Sequence, residues 1–194
     1  MIATLCSKRR RAGRDSTTTG NARLAESGSS IMSNHQEPFD DSPQRGGSPE
    51  ALESQIGRLV QRQPFAVLCT QGGGQPYGSL VAFAVTEDLS QAVFATPRAT
   101  RKFRLLSECD HVALVIDSRP DFPDRLMEIE AVTATGRAVL VEQEDDFDRW
   151  ASLLTGRHPY LFRFVQSASC GLFRIQIVRY FHVSRFQEVR QWVP

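Results

Sequence analysis

The chain has 194 residues and a mass of 21.7 kDa, with 41% hydrophobic residues and a formal net charge of +1. A chain of this length can bury one hydrophobic core and still have residues left for a tail. The balanced charge argues against nucleic acid or a membrane surface as the main partner, because either would need an excess of one sign.

The spacing of the cysteines and histidines argues against a zinc site or a disulfide framework. No CxxC or HxxxH spacing connects Cys6, Cys69, Cys109, Cys170, His35, His111, His158 and His182. No run approaches the roughly 18 apolar residues of a membrane helix, and the N-terminal MIATLCSKRRR is not a secretion signal, because its basic cluster follows its apolar piece. We therefore expect no metal, no membrane contact and a cytoplasmic location.

The first 47 residues are rich in Ser, Thr, Gly, Asn, Asp and Arg and show no hydrophobic period. Such a segment cannot bury enough apolar surface to offset the entropy of ordering. The sequence predicts a disordered tail over residues 1–47 and a folded domain over residues 48–194. The KRRR run is interpreted as part of a solvated tail, with a targeting or nucleic-acid patch as the alternative.

The folded part begins with a predicted amphipathic helix. Ser48 is a candidate N-cap and Pro49 suits the first helical position. The apolar face of this helix comprises Leu52, Ile56, Leu59 and Val60.

Strand patterns follow in chain order. Residues 65–70 and 79–85 predict a hairpin around the Gly/Pro turn 72–78, and residues 91–96 predict a third strand. Beyond it we expect a helix at 99–109, strands at 111–117 and 127–142, a helix at 144–156 that ends at Gly156, and a strand at 170–186. Gly136 predicts a bulge in the long strand. The tight connections favour an α+β, mainly β fold, an antiparallel barrel of six strands with short flanking helices, over a doubly wound sheet.

The third predicted strand leads into ATPRATRKFRLL, which carries four cations: Arg98, Arg101, Lys102 and Arg104. If a helix starts near Thr100, then Thr96, Thr100, Arg101 and Lys102 gather at its N-terminus, where amide groups are unpaired and the dipole is positive. That arrangement suits a phosphate group. Ordinary surface cations at a solvated helix start are the alternative. Hydrogen bonds to a phosphate alone would give weak binding, because association itself costs a comparable free energy. A ligand bound there must therefore also bury a ring.

The order of these segments resembles a known family. FAVLCT, GQPYGSLVAFAV, VFATPRATRKFRLL, HVALVID and TATGRAV, over about residues 50–186, are similar to the pyridoxamine 5′-phosphate oxidase-like flavoproteins, the FMN-binding split β-barrels. The resemblance implies a homodimer with FMN at the subunit interface. It also implies that Thr96, Thr100, Arg101 and Lys102 hold the FMN phosphate and that Ser79, Leu80 and Val81 line the flavin ring.

The sequence also departs from the true pyridoxamine 5′-phosphate oxidases. Ser79 and Ala84 stand where those enzymes have basic residues, and their C-terminal R-x-H signature is missing. Oxidation of vitamin B6 is therefore not expected. The segment RHPYLFRF (157–164) resembles the haem-utilisation branch of the same superfamily, which makes His158 or His182 a candidate iron ligand.

Three functions remain open from the sequence. The first is an FMN-dependent oxidoreductase, in which a nicotinamide or substrate passes hydride to the flavin and the flavin carries the chemistry. The second is a module of the same fold that binds flavin or haem without turnover. The third is a dimeric interaction protein without flavin. No catalytic side chain is assigned, the small-molecule substrate is unknown, and a deazaflavin is an alternative cofactor.

Overall fold

A computed structural model describes residues 49–142, 146–185 and 188–194. The helices are α1 (Pro49–Arg62), α2 (Arg101–Glu108), α3 (Phe147–Arg157) and α4 (Phe162–Val165), and the strands are β1 (Phe65–Gly72), β2 (Gln75–Val85), β3 (Gln91–Pro97), β4 (His111–Asp117), β5 (Ala131–Leu140), β6 (Cys170–Ser184) and β7 (Glu188–Trp192). The predicted tail (1–47) and the predicted N-cap Ser48 lie outside the described residues.

Strands β1 to β6 form a closed antiparallel barrel. Neighbours follow the order β3-β2-β1-β4-β5-β6, and β3 also pairs with the first half of β6, from Cys170 to Gln176, which closes the barrel. The second half of β6 pairs with β7 from Tyr180 to Ser184. The predicted six-stranded split barrel with short helices is confirmed, and β7 is an additional strand.

The barrel interior contains the main core. Alternate side chains of each strand point inward, as the two-residue period of a strand requires. Those that are almost completely buried are Leu68, Phe83, Phe94, Leu114, Val132 and Ile175. The apolar face predicted for α1 packs into this same core, so α1 is joined to the barrel by burial of that face.

A second cluster lies outside the barrel wall, beneath α3 and α4. It contains Ala84 and Val93 from β2 and β3, together with Trp150 and Leu154 from α3. These two strands are therefore covered on both faces near this cluster, which explains why their sequences do not alternate cleanly between apolar and polar residues.

Several predicted boundaries shift for local reasons. The first hairpin turns on Gly73 and Gly74, both with positive φ, so β2 begins at Gln75 rather than residue 79. The predicted bulge is confirmed: the register between β5 and β6 shifts between Thr135 and Gly136. Strand β5 begins at Ala131, because residues 126–128 form a 3-10 turn.

The prediction that α3 ends at Gly156 is wrong. The helix continues through Arg157, and His158 is the C-cap, with its amide donating to the Leu154 carbonyl at 2.9 Å. None of the helices among the described residues is long and apolar enough to cross a lipid bilayer.

Candidate functional site

The turn between β3 and α2 places two threonine hydroxyls at a helix N-terminus. Thr96 is buried at the end of β3, and its Oγ1 lies 3.1 Å from Oγ1 of Thr100. Thr100 is the N-cap: its Oγ1 accepts from the amide of Phe103 at 3.3 Å and donates to the carbonyl of Pro97 at 2.8 Å. The first turn of α2 contains no acidic residue. The positive end of the helix dipole is therefore not neutralised by the helix's own side chains.

All four cations of this segment contact other groups of the protein. Nε of Arg98 donates to the carbonyl of Cys170 at 3.0 Å, and its guanidinium lies 5.5 Å from the ring centre of Phe103. Nε of Arg104 lies 4.0 Å from Glu108, one helical turn later, as the sequence spacing indicates. Arg101 and Lys102 are the two cations in the first turn of α2.

The Arg101 and Lys102 side chains leave the helix in different directions. The exposed Arg101 guanidinium lies 5.2 Å from the centre of the Tyr77 ring, whereas Nζ of Lys102 donates to the carbonyl of Leu80 at 3.1 Å. Burial lowers the pKa of the Lys102 ammonium. An ammonium has three donors, and one carbonyl uses one of them. The remaining two suit an anionic acceptor at the same turn.

The three residues predicted to line a flavin ring occupy different surroundings within β2. Val81 is buried in the barrel core, whereas the side chain of Leu80 is 65% exposed on the outer face. Oγ of Ser79 is buried and has no hydrogen-bond partner among the described residues. An unpaired buried hydroxyl is costly unless a ligand or water satisfies it. Contact between β2 and the cations is made through the Leu80 carbonyl rather than through these side chains.

Two grooves lie on the outer face of β1 and β4. One has a volume of about 650 Å³ and includes Phe65, Val67, Leu80 and Val115 in its lining. The other, of about 570 Å³, includes Cys69, Gln71, Pro76, His111 and Arg137. The first groove joins the exposed Leu80 to a mainly apolar surface, and the carbonyl of Leu80 accepts from Lys102 of α2.

The histidines considered as iron ligands are both buried. Nε2 of His158 lies 2.9 Å from the carbonyl of Phe83, and Nδ1 lies 3.2 Å from the hydroxyl of Tyr160. Both ring nitrogens of His158 therefore have protein partners, which gives it the role of a structural residue at the end of a helix. His182 is completely buried, with Nδ1 at 3.2 Å from the Arg190 guanidinium.

Ala84 occupies the position at which the resemblance places a substrate lysine. The structure buries it in the cluster beneath α3. A long cationic side chain would not fit at this position without displacing that cluster.

The sequence reasoning did not assign Tyr77 to the site. Its ring faces the Arg101 guanidinium, and it lies two residues before Ser79 on the same face of β2. The only sequence signal for it is that two-residue spacing. The structure thus brings Thr96 and Thr100 together and joins Lys102 to the backbone of β2, whereas Arg101 turns to Tyr77 and Val81 turns into the core. Their predicted role in cofactor binding stays a prediction.

Comparison with known proteins gives one family and many similar folds. The model of a family described as pyridoxamine 5′-phosphate oxidase matches residues 52–183. No curated protein matches the sequence.

Among solved structures, a heme binding protein from Mycobacterium smegmatis is 13% identical with a TM-score of 0.64, and the match covers 76% of this chain and 59% of that one. HutZ, the heme storage protein from Vibrio cholerae, is 19% identical with a TM-score of 0.58, over 73% of this chain and 94% of that one. An FAD-binding protein from Mesorhizobium loti is 13% identical with a TM-score of 0.55, over 66% of this chain and 91% of that one.

Proposed function

Because the chain belongs to the pyridoxamine 5′-phosphate oxidase family, we propose that it is an FMN-binding flavoprotein that oxidises or reduces a small substrate. The observation that carries this proposal is the β3–α2 turn. The turn carries a buried threonine hydroxyl and a helix N-terminus without acidic residues, and the half-buried Lys102 of the first helical turn donates to the backbone of β2. These are the groups that recognise a phosphate monoester.

The chain's own groups can supply the phosphate contacts. The hydroxyl of Thr100 satisfies the amide of Phe103, which leaves the amides of Arg101 and Lys102 at the helix start for the phosphate oxygens. Lys102 adds an ammonium. The Thr96 hydroxyl donates to Thr100, since the Thr100 hydroxyl donates to Pro97, and it would have to rotate away from Thr100 to donate to a phosphate oxygen. Rotation about its side-chain bonds would bring the Arg101 guanidinium from Tyr77 toward the same point.

The groove beside Leu80 suits the ring system of the same cofactor. Lys102 links the phosphate turn to the backbone of β2, so the turn and the strand hold a fixed separation. Ser79 and Leu80 are neighbours in β2, so their side chains lie on opposite faces of the strand, and only Leu80 faces this groove. The phosphate turn and the apolar groove beside Leu80 are the two features that support FMN as the ligand.

A second copy of the chain would complete this site. Phe65 and Leu80 are large apolar side chains exposed on the outer barrel face, beside the groove. Exposed apolar surface of this kind is typical of an interface. We therefore propose a homodimer with the cofactor between subunits, as the family resemblance implies.

This arrangement gives the cofactor and the protein separate roles. When bound, FMN supplies two-electron hydride chemistry. The β3–α2 turn would bind the phosphate, β2 would orient the ring, and the groove would exclude water from the reacting face. The substrate is a small molecule of unidentified class.

The proposal is tested by purifying the protein, releasing the bound ligand by heat and identifying it by mass spectrometry. We expect FMN. The double variant Arg101→Ala with Lys102→Ala should remove several kcal/mol of phosphate attraction and lower FMN affinity about a hundredfold or more, while the circular dichroism of the barrel is unchanged. The control with the same change of charge is Arg58→Ala with Arg104→Ala, both exposed. Stoichiometric flavin in the first double variant would contradict the assignment.

Haem binding is the second candidate, because two solved structures with this fold are described as heme binding and heme storage proteins. The absorbance spectrum separates the two cofactors, since haem and flavin supply different bands. If FMN is present, bleaching by NADH or NADPH without oxygen separates an oxidoreductase from a flavin-binding module without turnover.

A further inference from the structure

Three consecutive residues between α2 and β4 bring three different metal-ligand types together. One ligand atom each from Cys109, Asp110 and His111 lies within 4.8 Å of the other two. Oδ1 of Asp110 is 3.0 Å from Nδ1 of His111. Donors around a tetrahedral zinc ion, bonded at about 2.0 to 2.3 Å, stand roughly 3.3 to 3.8 Å apart. The three donor atoms are therefore within about 1 Å of the spacing around a bound ion, and Asp110 and His111 are at hydrogen-bond distance from each other.

The backbone at this point is fixed on both sides. The amide of Cys109 donates to the carbonyl of Leu105 at 2.9 Å, and the carbonyl of Asp110 accepts from the amide of Ala138 at 2.8 Å. His111 is the first residue of β4. Small rotations of the three side chains, without movement of the chain, would thus bring the donors to one point.

Two neighbouring side chains orient these donors. NH1 of Arg137 donates to Oδ2 of Asp110 at 3.0 Å, which leaves Oδ1 facing His111. Nε2 of Gln71 lies 3.6 Å from Sγ of Cys109. Outer partners of this kind fix the direction of metal ligands and are part of most metal sites. Arg137 also offsets the negative charge of the carboxylate.

We propose that Cys109, Asp110 and His111 bind one divalent cation of borderline softness, such as zinc(II) or cobalt(II). A thiolate with an imidazole and a carboxylate selects this class over magnesium or calcium. Of the three ligands His111 lines the 570 Å³ groove, together with Gln71 and Arg137, so the site lies at the edge of that groove. The Cys109 thiol releases its proton when the ion binds. The proposal departs from the sequence expectation of no metal, because ligand-spacing rules such as CxxC do not describe three adjacent ligands.

The test is a titration of the reduced, chelator-treated full-length protein with cobalt(II). We expect one equivalent to bind, with visible d–d bands, a near-ultraviolet charge-transfer band from thiolate to cobalt, and displacement by zinc(II). Cys109→Ser should lose the charge-transfer band. His111→Ala, an exposed position that does not endanger folding, should weaken cobalt binding at least tenfold.

The matched control is Cys69→Ser, because Cys69 lines the same groove and is not one of the three ligands. Its cobalt spectrum should equal that of the unaltered protein. The Arg101→Ala, Lys102→Ala double variant should also bind cobalt as tightly as the unaltered protein. The metal proposal and the flavin proposal are therefore tested independently of each other. The proposal is overturned if the unaltered protein shows no charge-transfer band at millimolar cobalt. It is equally overturned if His111→Ala binds cobalt as tightly as the unaltered protein.

Discussion

Arg157 is predicted to hold α1 on the barrel. It is the last residue of α3, and its NH2 atom contacts the carbonyl oxygens of Val60, Gln61 and Gln63, at 2.7, 2.9 and 2.6 Å. These carbonyls belong to the end of α1 and the residue just beyond it, where backbone acceptors have no intrahelical partner. A cation at a helix C-terminus also interacts favourably with the helix dipole. Replacing Arg157 with methionine should therefore detach the end of α1.

The expected loss of stability in Arg157→Met follows from the geometry of these hydrogen bonds. One guanidinium NH2 group has two hydrogens, so the three carbonyls share at most two full hydrogen bonds. Hydrogen bonds to a charged group contribute about 1.5 to 3 kcal/mol each, and water will replace part of that at the exposed Gln61. The guanidinium also lies 4.9 Å from the ring centre of Phe83. We expect Arg157→Met to lower the free energy of unfolding by about 2 to 4 kcal/mol, a large share of a typical 5 to 15.

Urea unfolding followed by circular dichroism measures this change. A loss of this size should lower the urea midpoint by roughly 1 to 2 M. The control is Arg163→Met on α4, which is exposed and should change the free energy of unfolding by less than about 0.5 kcal/mol. The reasoning is refuted if Arg157→Met and Arg163→Met unfold at the same urea concentration.

Two further predictions concern stability. A Cβ at Gly136 would overlap the paired β6 carbonyl, whereas one at Gly156 would meet nothing within 4 Å. In urea unfolding, Gly136→Ala should therefore lower the free energy of unfolding by about 3 kcal/mol or more, whereas Gly156→Ala should raise it by about 0.5 to 1 kcal/mol. Equal effects of the two substitutions would contradict this prediction. Burial lowers the pKa of His182, although Glu130 opposes the shift and Arg190 adds to it. Below about pH 6.5 the histidine is protonated in the unfolded chain but stays neutral in the folded protein. The free energy of unfolding should therefore fall as the pH drops below about 6.5. His182→Gln should flatten this loss, and an unchanged pH profile would count against it.

Much of the barrel could be predicted because a barrel wall imposes a two-residue period. Strand β4 has the predicted bounds, 111–117. The bulge was predictable because Gly136 interrupts a long strand pattern, and a side chain there would collide with β6. Strand β7 could not be predicted, since EVRQW has no clean alternation of burial and pairs only with the end of β6.

The candidate site was predictable in part. The sequence identified the segment with its threonines and cations, but it could not tell which groups each cation contacts. The partner of Arg98 is a carbonyl 72 residues away, and Lys102 contacts a carbonyl 22 residues before it. Contacts of such sequence separation have no local signal. For the same reason the burial of Ala84 beneath α3 appears only in the fold.

The central claim, that the β3–α2 turn is a phosphate receptor for a flavin, is tested most directly by comparing FMN with riboflavin. The two ligands share the ring and differ by the phosphate. Titration of flavin-free protein, followed by quenching of flavin fluorescence, should give an affinity for FMN at least a hundredfold higher, because two or more charge-assisted hydrogen bonds contribute about 3 kcal/mol or more. Equal affinities for FMN and riboflavin would contradict the account.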